Sequence, residues 1–395
     1  MTRQLPKDTT RAWVEIDLGA LQHNGATLAR LAGVPLLPMV KADAYGLGAV
    51  PVACALERLH PWGYGVATTE EGAELRDAGI ERPILVFPPL LVDDLPTARK
   101  ARLTPVLSSR AAILRWMTEI SRGGAPPAAS TSRLPPPASA TPSNYHLGID
   151  TGMSRAGARP SDLPALRELL ESFPPEGACT HFHSSERNDG SSEEQERRFD
   201  EALKLLPAIP TLLHCENGAA IVRRQRSRWS LVRPGIFLYG VGSGEGASVQ
   251  PRPVVSVLAR LVDLRFVENG ETVSYDATYR AVGRRRIATF AIGYADGYRR
   301  ALSNSGSAIL NGKRAPVAGL VTMDMTMLDV TDVSCELGDV AMFIGAGEDE
   351  RYGSSEAGNH PLTVEAVARE ADMSPYELLT GLRARLPRVY RGRDS

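Results

Sequence analysis

Short apolar, β-branched runs recur along the first two-thirds of the chain, separated by stretches whose apolar residues fall at helical spacing. The runs are LLPMV (36–40), GYGVA (63–67), PILVF (83–87), LTPVL (103–107), YHLGID (145–150), CTHFH (179–183), TLLHC (211–215) and GIFLYG (235–240). Between them, VPVACALERL, TEEGAELRDAG, PALRELLESF and EEQERRFDEALKLL place apolar residues three and four apart. Several open on acidic residues that suit a helix N-terminus. Eight strands alternating with helices over roughly 240 residues predict a (β/α)8 barrel. An open doubly wound sheet is the competing arrangement.

After about residue 250 the period shortens, as expected of strands. VSVLARLVDLRFV, RRRIATFAIGYA, SAILNGKRAPVAGL, MTMLDVTD and DVAMFIG are short apolar runs broken by Gly, Asn and Asp. They predict an all-β domain, closed by a helical tail, TVEAVAREADMSPYELLTGLRARL. The division expected is a barrel over 12–248 and a C-terminal β-domain over 249–391, which residues 1–11 join. One segment fits neither. RGGAPPAASTSRLPPPASATPS (122–143) is rich in Pro, Ala and Ser and is expected to be a mobile insertion in a helix-to-strand loop.

Composition narrows the function. With 45 basic and 46 acidic side chains the formal charge is −1, so neither a polyanion nor an anionic membrane is implied as partner. No apolar run approaches a membrane span, and MTRQLPKDTTRAW lacks the apolar core of a signal peptide. Cys54, Cys179, Cys215 and Cys335 are scattered without metal-type pairs. They fit reduced thiols in the core of a cytoplasmic protein.

In such a barrel the chemistry collects at the C-terminal ends of the strands. Those ends carry Lys41 and Tyr45 in "VKADAYGLG", Arg155 in "DTGMSR", His181 in "THFH", His214 and Asn217 in "HCENG", and Arg233, Gly235 and Ile236 in "VRPGI". No metal cage and no Ser/His/Asp set emerges. Glycine-flanked amides and a tyrosine can hold a phosphate. A phosphate site beside one inward lysine points to pyridoxal 5′-phosphate (PLP) held covalently through that lysine.

Seven motifs in order, "VKADAYGLG", "HLGIDTGMSRAG", "THF", "VRPGIFLYG", "VSYDATY", "IGYADGY" and "GLVTMDMTMLDVTD", resemble those of the alanine racemases. These are fold-type III PLP enzymes with a barrel followed by a β-domain. The resemblance runs from about Trp13 to the tail, the 122–143 segment excepted. It implies interconversion of L- and D-alanine in D-alanine supply for the cell wall. The implied enzyme is a head-to-tail homodimer with shared active sites. It makes Lys41 the cofactor lysine and the base for the D-isomer, and Tyr275, from the partner subunit, the base for the L-isomer. Two bases are needed because a proton leaves one face of Cα and returns to the other. Arg233 would bond the pyridine nitrogen, and His181 would orient both Arg233 and the tyrosine. Tyr45 and the amides of Gly235 and Ile236 would bind phosphate. Arg155 and the backbone of Met323 would hold the substrate carboxylate, with Tyr294 lining the approach.

Taken singly, His181 reads as a core histidine, Arg233 as a surface or capping arginine and Tyr275 as a cross-strand aromatic. His183 and His214 read as structural. A broader-specificity racemase is the nearest alternative. A fold-type III decarboxylase would carry a Gly-Pro-x-Cys-Asp segment, absent here. A non-catalytic PLP-binding protein would resemble the first half only. One departure stands out: many members of the family read His-Leu-Lys where this chain has "HLG", leaving Gly148 in place of a lysine that steadies the carboxylate-binding arginine. A buried, unpaired Arg155 is expected to recruit an anion or water.

Overall fold

The computed structural model describes residues 10–122, 145–244, 247–345 and 362–392. The insertion expected at 122–143 lies, Arg122 apart, outside the described residues, as do residues 1–9. Six parallel strands follow one another in sequence order: Tyr64–Val66, Ile84–Val86, Thr104–Leu107, His146–Gly148, Gly177–Cys179 and Leu212–His214. Nearly all their residues are buried, as strands must be when helices cover the outside and side chains fill the inside. Isolated bridges Met39↔Gly65, Leu36↔Val232 and Asn217↔Arg233 close the ring, so segments around 36–39 and 232–233 are the remaining two staves. The barrel reading is thus realised with two corrections of register.

The run GIFLYG is not the eighth strand. The chain makes its bridges at Val232 and Arg233 and then turns, with Ile236–Tyr239 forming a 3-10 helix. Phe237, Leu238 and Tyr239 are all buried there, and an uninterrupted apolar run carries no period that tells a strand from a buried helical turn. Likewise, the sixth strand ends at Cys179 rather than spanning CTHFH. His181 therefore stands in the loop beyond its C-terminal end.

The second region is built on Val255–Val267, a strand of 13 residues. Its first half pairs antiparallel with Ala12–Asp17 and Val340–Ile344, its second half with Arg285–Phe290. A hairpin, Ser307–Leu310 with Lys313–Pro316, extends the sheet. Its turn residues Asn311 and Gly312 both have positive φ (48° and 76°), as a two-residue hairpin demands. Ala12–Asp17, placed by sequence at the start of the barrel, belongs to this sheet instead. It also pairs in parallel with Arg388–Arg391, a strand the sequence pattern did not show. Residues 10 and 11 join the same region through Arg11, which bonds the Ala291 carbonyl and the buried Asp296 carboxylate. The expected tail helices appear as Val364–Glu370 and Pro375–Thr380. No helix among the described residues is long and apolar enough to cross a membrane.

Candidate active site

Lys41 follows the stave Leu36–Val40 directly and opens a turn that is left-handed over four residues with side chains. Ala42, Asp43, Ala44 and Tyr45 have φ between 51° and 59°, a conformation costing roughly 1–2 kcal/mol per residue. Gly46 and Gly48 (φ 85° and 94°) complete it. A Cβ at Gly46 would stand 2.6 Å from the Leu379 carbonyl oxygen, which is why "AYGLG" needs glycine there. The turn aims Lys41 where burial and the nearby Arg155 charge lower its pKa, with Glu71 acting in the opposite sense. Burial and the arginine charge both favour the neutral, nucleophilic amine.

Tyr45, at the end of the left-handed turn, is buried between Tyr239 (ring centroids 4.7 Å apart) and Tyr376 (5.9 Å). Its hydroxyl meets Gly235, where an added Cβ would lie 2.7 Å from the phenol oxygen. Gly235 and Ile236 open the 3-10 helix Ile236–Tyr239, and amides at the start of a helical turn have no acceptor within it. Phenol and amides thus form a cradle of the kind an oxyanion fills.

Arg233 is buried at the barrel mouth, and every bond it makes is accounted for. Nη1 donates to His214 Nδ1 and to the His214 carbonyl, each at 2.7 Å. Nη2 donates to the carbonyls of Thr180 (2.7 Å) and Cys215 (3.2 Å) and to His181 Nδ1 (3.3 Å). Nε alone has no acceptor among the described residues, leaving one N–H to bond a ligand. The acceptor role of His214 Nδ1 places its proton on Nε2, which donates to His146 Nδ1 at 2.8 Å. His146 Nε2 is then a buried N–H without a partner among the described residues. Burial and the Arg233 charge hold these rings neutral, with His146 and His181 both pushed down to about 3 and His214 lowered as well. His214 is therefore more than core filling: it orients Arg233. Sequence offered one hint, its position at a strand end.

The loop after His146–Gly148 is shaped by Asp150, whose Oδ1 accepts the amides of Gly152, Met153 and Ser154 at 2.9–3.1 Å. It presents Arg155, whose charge acts on Lys41, His181 and Arg233. Arg155 is exposed, which corrects the expectation of a buried guanidinium, and no carboxylate pairs with it among the described residues. A Cβ at Gly148 would lie 3.0 Å from Val106 Cγ1.

Lys41, Tyr45, Arg155, His181, Arg233, Gly235 and Ile236 thus converge. Tyr275, Tyr294 and Met323 do not join them within one chain. They sit on the β-region, 70%, 40% and 52% exposed, close to one another: Ser274 bonds the Leu320 carbonyl (2.7 Å) and the Tyr294 amide bonds that of Thr322 (3.0 Å). Tyr376, which walls the cradle, went unmarked in the sequence because it lies in a tail read only as helix.

Two family models cover most of the chain: "Alanine racemase, N-terminal domain" over residues 16–243 and "Alanine racemase, C-terminal domain" over 254–390. An alanine racemase of Halothermothrix orenii is 34% identical over 98% of both chains. Among solved structures, alanine racemase from Streptomyces coelicolor is 30% identical with TM-score 0.85, covering 98% of this chain and 99% of its own. The Bartonella henselae alanine racemase, solved with covalently bound pyridoxal phosphate, is 28% identical with TM-score 0.81, covering 96% and 99%. With its barrel, its β-region and both family models matched in order, this chain belongs to the alanine racemase family.

Proposed function

We propose that this chain is a PLP-dependent racemase that interconverts L- and D-alanine. The observation that carries the proposal is Arg233, fully engaged through both terminal nitrogens, with Nε free beside a lysine-bearing turn and an oxyanion cradle. The residues fit PLP: Lys41 to bond its aldehyde carbon, the Tyr45 hydroxyl with the Gly235 and Ile236 amides for its phosphate, and Arg233 Nε for its ring nitrogen. Bound there, PLP supplies an electron sink that makes the Cα proton of an attached amino acid removable.

The chain's own residues govern the proton transfers and the fate of the charge at Cα. Lys41 Nζ would be released from the aldehyde carbon when the substrate's amino group takes its place. With its pKa lowered by burial and Arg155, it would then remove or return the Cα proton on one face. Tyr275 of the partner subunit does so on the other, which its exposure on the β-region leaves it free to do. Arg233 donates a hydrogen bond to the ring nitrogen without giving up its proton. A ring nitrogen held this way would stay unprotonated and be a weaker electron sink, which would disfavour side reactions. His181 takes one Arg233 N–H on Nδ1 and keeps its own proton on Nε2 to orient the tyrosine. Arg155 and the Met323 backbone hold the carboxylate, and Tyr294 lines the approach.

The same reading includes a head-to-tail homodimer, a division between barrel and β-domain near residue 249, and a cytoplasmic location. Gly148 favours one variation, a roomier pocket with wider substrate range. The test is a racemisation screen of purified protein with PLP across the twenty L-amino acids, read by chiral chromatography. Fastest conversion of alanine is expected. Failure to exchange the α-proton of alanine for deuterium would refute the proposal, and a faster turnover of a bulkier amino acid would select the wider-range variant.

A further inference from the structure

Building on the assignment of Lys41 as the cofactor lysine, we propose that Glu71 and Arg388 are positioning residues for Lys41, acting as end-caps of the left-handed turn on which it sits. A helical turn of either hand leaves its first N–H groups and last C=O groups without internal partners. This turn, unfavourable in itself, persists only if its surroundings over-determine it. Inside it, the Ala44 amide bonds the Val40 carbonyl (2.8 Å) and the Gly48 amide bonds that of Asp43 (2.9 Å). The ends are held from outside.

At the start, the Ala42 amide, next to Lys41, donates to Glu71 Oε1 at 2.7 Å. Glu71 Oε2 accepts from Ala67 (2.7 Å) and Thr68 (3.3 Å). Its own amide is tied to Thr68 Oγ1 in a capping box. The carboxylate is therefore fixed by helix Thr69–Asp77 of the barrel before it reaches the lysine turn. At the far end, Arg388 grips the Gly46 carbonyl with Nε (3.1 Å) and Nη2 (2.9 Å). Its other N–H groups go to the carbonyls of Leu382 (2.8 Å), Arg383 (2.5 Å) and Leu386 (2.7 Å), so the fork cannot swing away. The Tyr390 hydroxyl adds a bond to the Leu47 carbonyl at 3.0 Å. Neither Glu71 nor Arg388 touches the reacting atoms. One acts through the Ala42 amide, the other through the Gly46 carbonyl, and between them they pin the lysine turn to both halves of the molecule.

The test compares full-length Glu71→Gln, Arg388→Lys and Tyr390→Phe with Arg99→Ala, which breaks an unrelated barrel ion pair to Glu119 (3.0 Å). Glu71→Gln must present an amide donor to at least one backbone N–H, and Arg388→Lys replaces the fork by a single donor. Two quantities are read: hydrogen exchange of peptides spanning 42–48 in PLP-free protein, and the dissociation constant for PLP. Losing a cap is expected to speed exchange and weaken PLP binding by roughly 2- to 30-fold. Arg99→Ala should lower the melting temperature and leave both quantities alone. If Arg388→Lys fails to fold, Glu71→Gln and Tyr390→Phe carry the test. Unchanged exchange and PLP affinity in Glu71→Gln and Tyr390→Phe would overturn the proposal. Borohydride trapping of PLP on another lysine of the wild-type protein would instead overturn the cofactor assignment, while faster exchange at 42–48 in the variants would still support the clamp.

Discussion

Gly235→Ala isolates the phosphate cradle from the rest of the site. The new Cβ would lie 2.7 Å from the Tyr45 hydroxyl and 3.9 Å from Met39 Cβ, the first well inside van der Waals contact. Tyr45 has little room to retreat, because Tyr239 and Tyr376 pack on its ring at centroid distances of 4.7 and 5.9 Å. Either the phenol or the amide must give way, and one hydrogen bond to the phosphate is lost. A hydrogen bond to a charged group contributes about 1.5–3 kcal/mol, which corresponds to roughly a 10- to 150-fold weaker affinity at about 1.4 kcal/mol per decade. The assay titrates PLP-free Gly235→Ala and wild-type protein with PLP and, in parallel, with pyridoxal, which has the aldehyde and ring but no phosphate. Weakening should be confined to PLP. An equal loss for both compounds would mean that the substitution disturbs Lys41 or the ring site. No loss for either would mean that Gly235 does not face the phosphate.

Three other outcomes are expected. Tyr275→Phe should keep PLP binding and lose racemisation by a factor of about 10²–10⁴. Mixing it with Lys41→Ala chains should restore part of the activity in heterodimers, and no recovery after subunit exchange would place both residues in one chain's site. Bicarbonate should leave the activity unchanged, because Gly148 offers no lysine to carboxylate. Gly148→Lys should narrow the substrate range once Val106 shifts from the new Cβ, and an unchanged range would sink the idea. Finally, His146 is buried neutral with its pKa lowered to about 3, so the unfolded chain binds a proton that the folded one refuses below about pH 6.5. Stability should therefore fall as pH drops from 6.5 toward 3, by about 1.4 kcal/mol per pH unit from this ring. Urea midpoints for His146→Leu should show a shallower decline, and an identical decline would argue against it.

The elements legible in the sequence and those hidden from it divide along physical lines. Six barrel strands were legible because each is a short buried run bounded by turn residues. The sixth and eighth were misplaced by a few residues: the sixth ends at Cys179, where the expected run began, and IFLY is apolar without a period. Arg388–Arg391 escaped notice because RVYR is half-exposed and polar, and its place is set by a partner at the other end of the chain. Lys41, Arg233 and the Gly235 cradle could be found by asking what stands at strand ends. Glu71 could not, since a capping box looks the same whether or not its carboxylate also reaches a distant amide. Exposure told against sequence expectations at Arg155, where a missing lysine suggested burial that the single chain does not have. It also corrects Cys54, read as a core thiol but exposed, unlike the buried Cys179, Cys215 and Cys335. Arg233, which taken singly read as a surface residue, is buried.

The pairing of Ala12–Asp17 with Arg388–Arg391 fixes an order of events during synthesis. The first of these strands leaves the ribosome long before the second and cannot complete its sheet until Arg388–Arg391 has been made. Meanwhile the barrel, whose neighbouring strands follow one another in sequence, has only local pairings to make and can form first. Until then Ala12–Asp17, buried from Ala12 to Ile16 in the finished protein, stands as an unpaired edge open to association with other chains. Nonsense mutations or proteolysis that remove Arg388–Arg391 would therefore leave an almost complete barrel and an exposed, aggregation-prone strand at Ala12–Asp17.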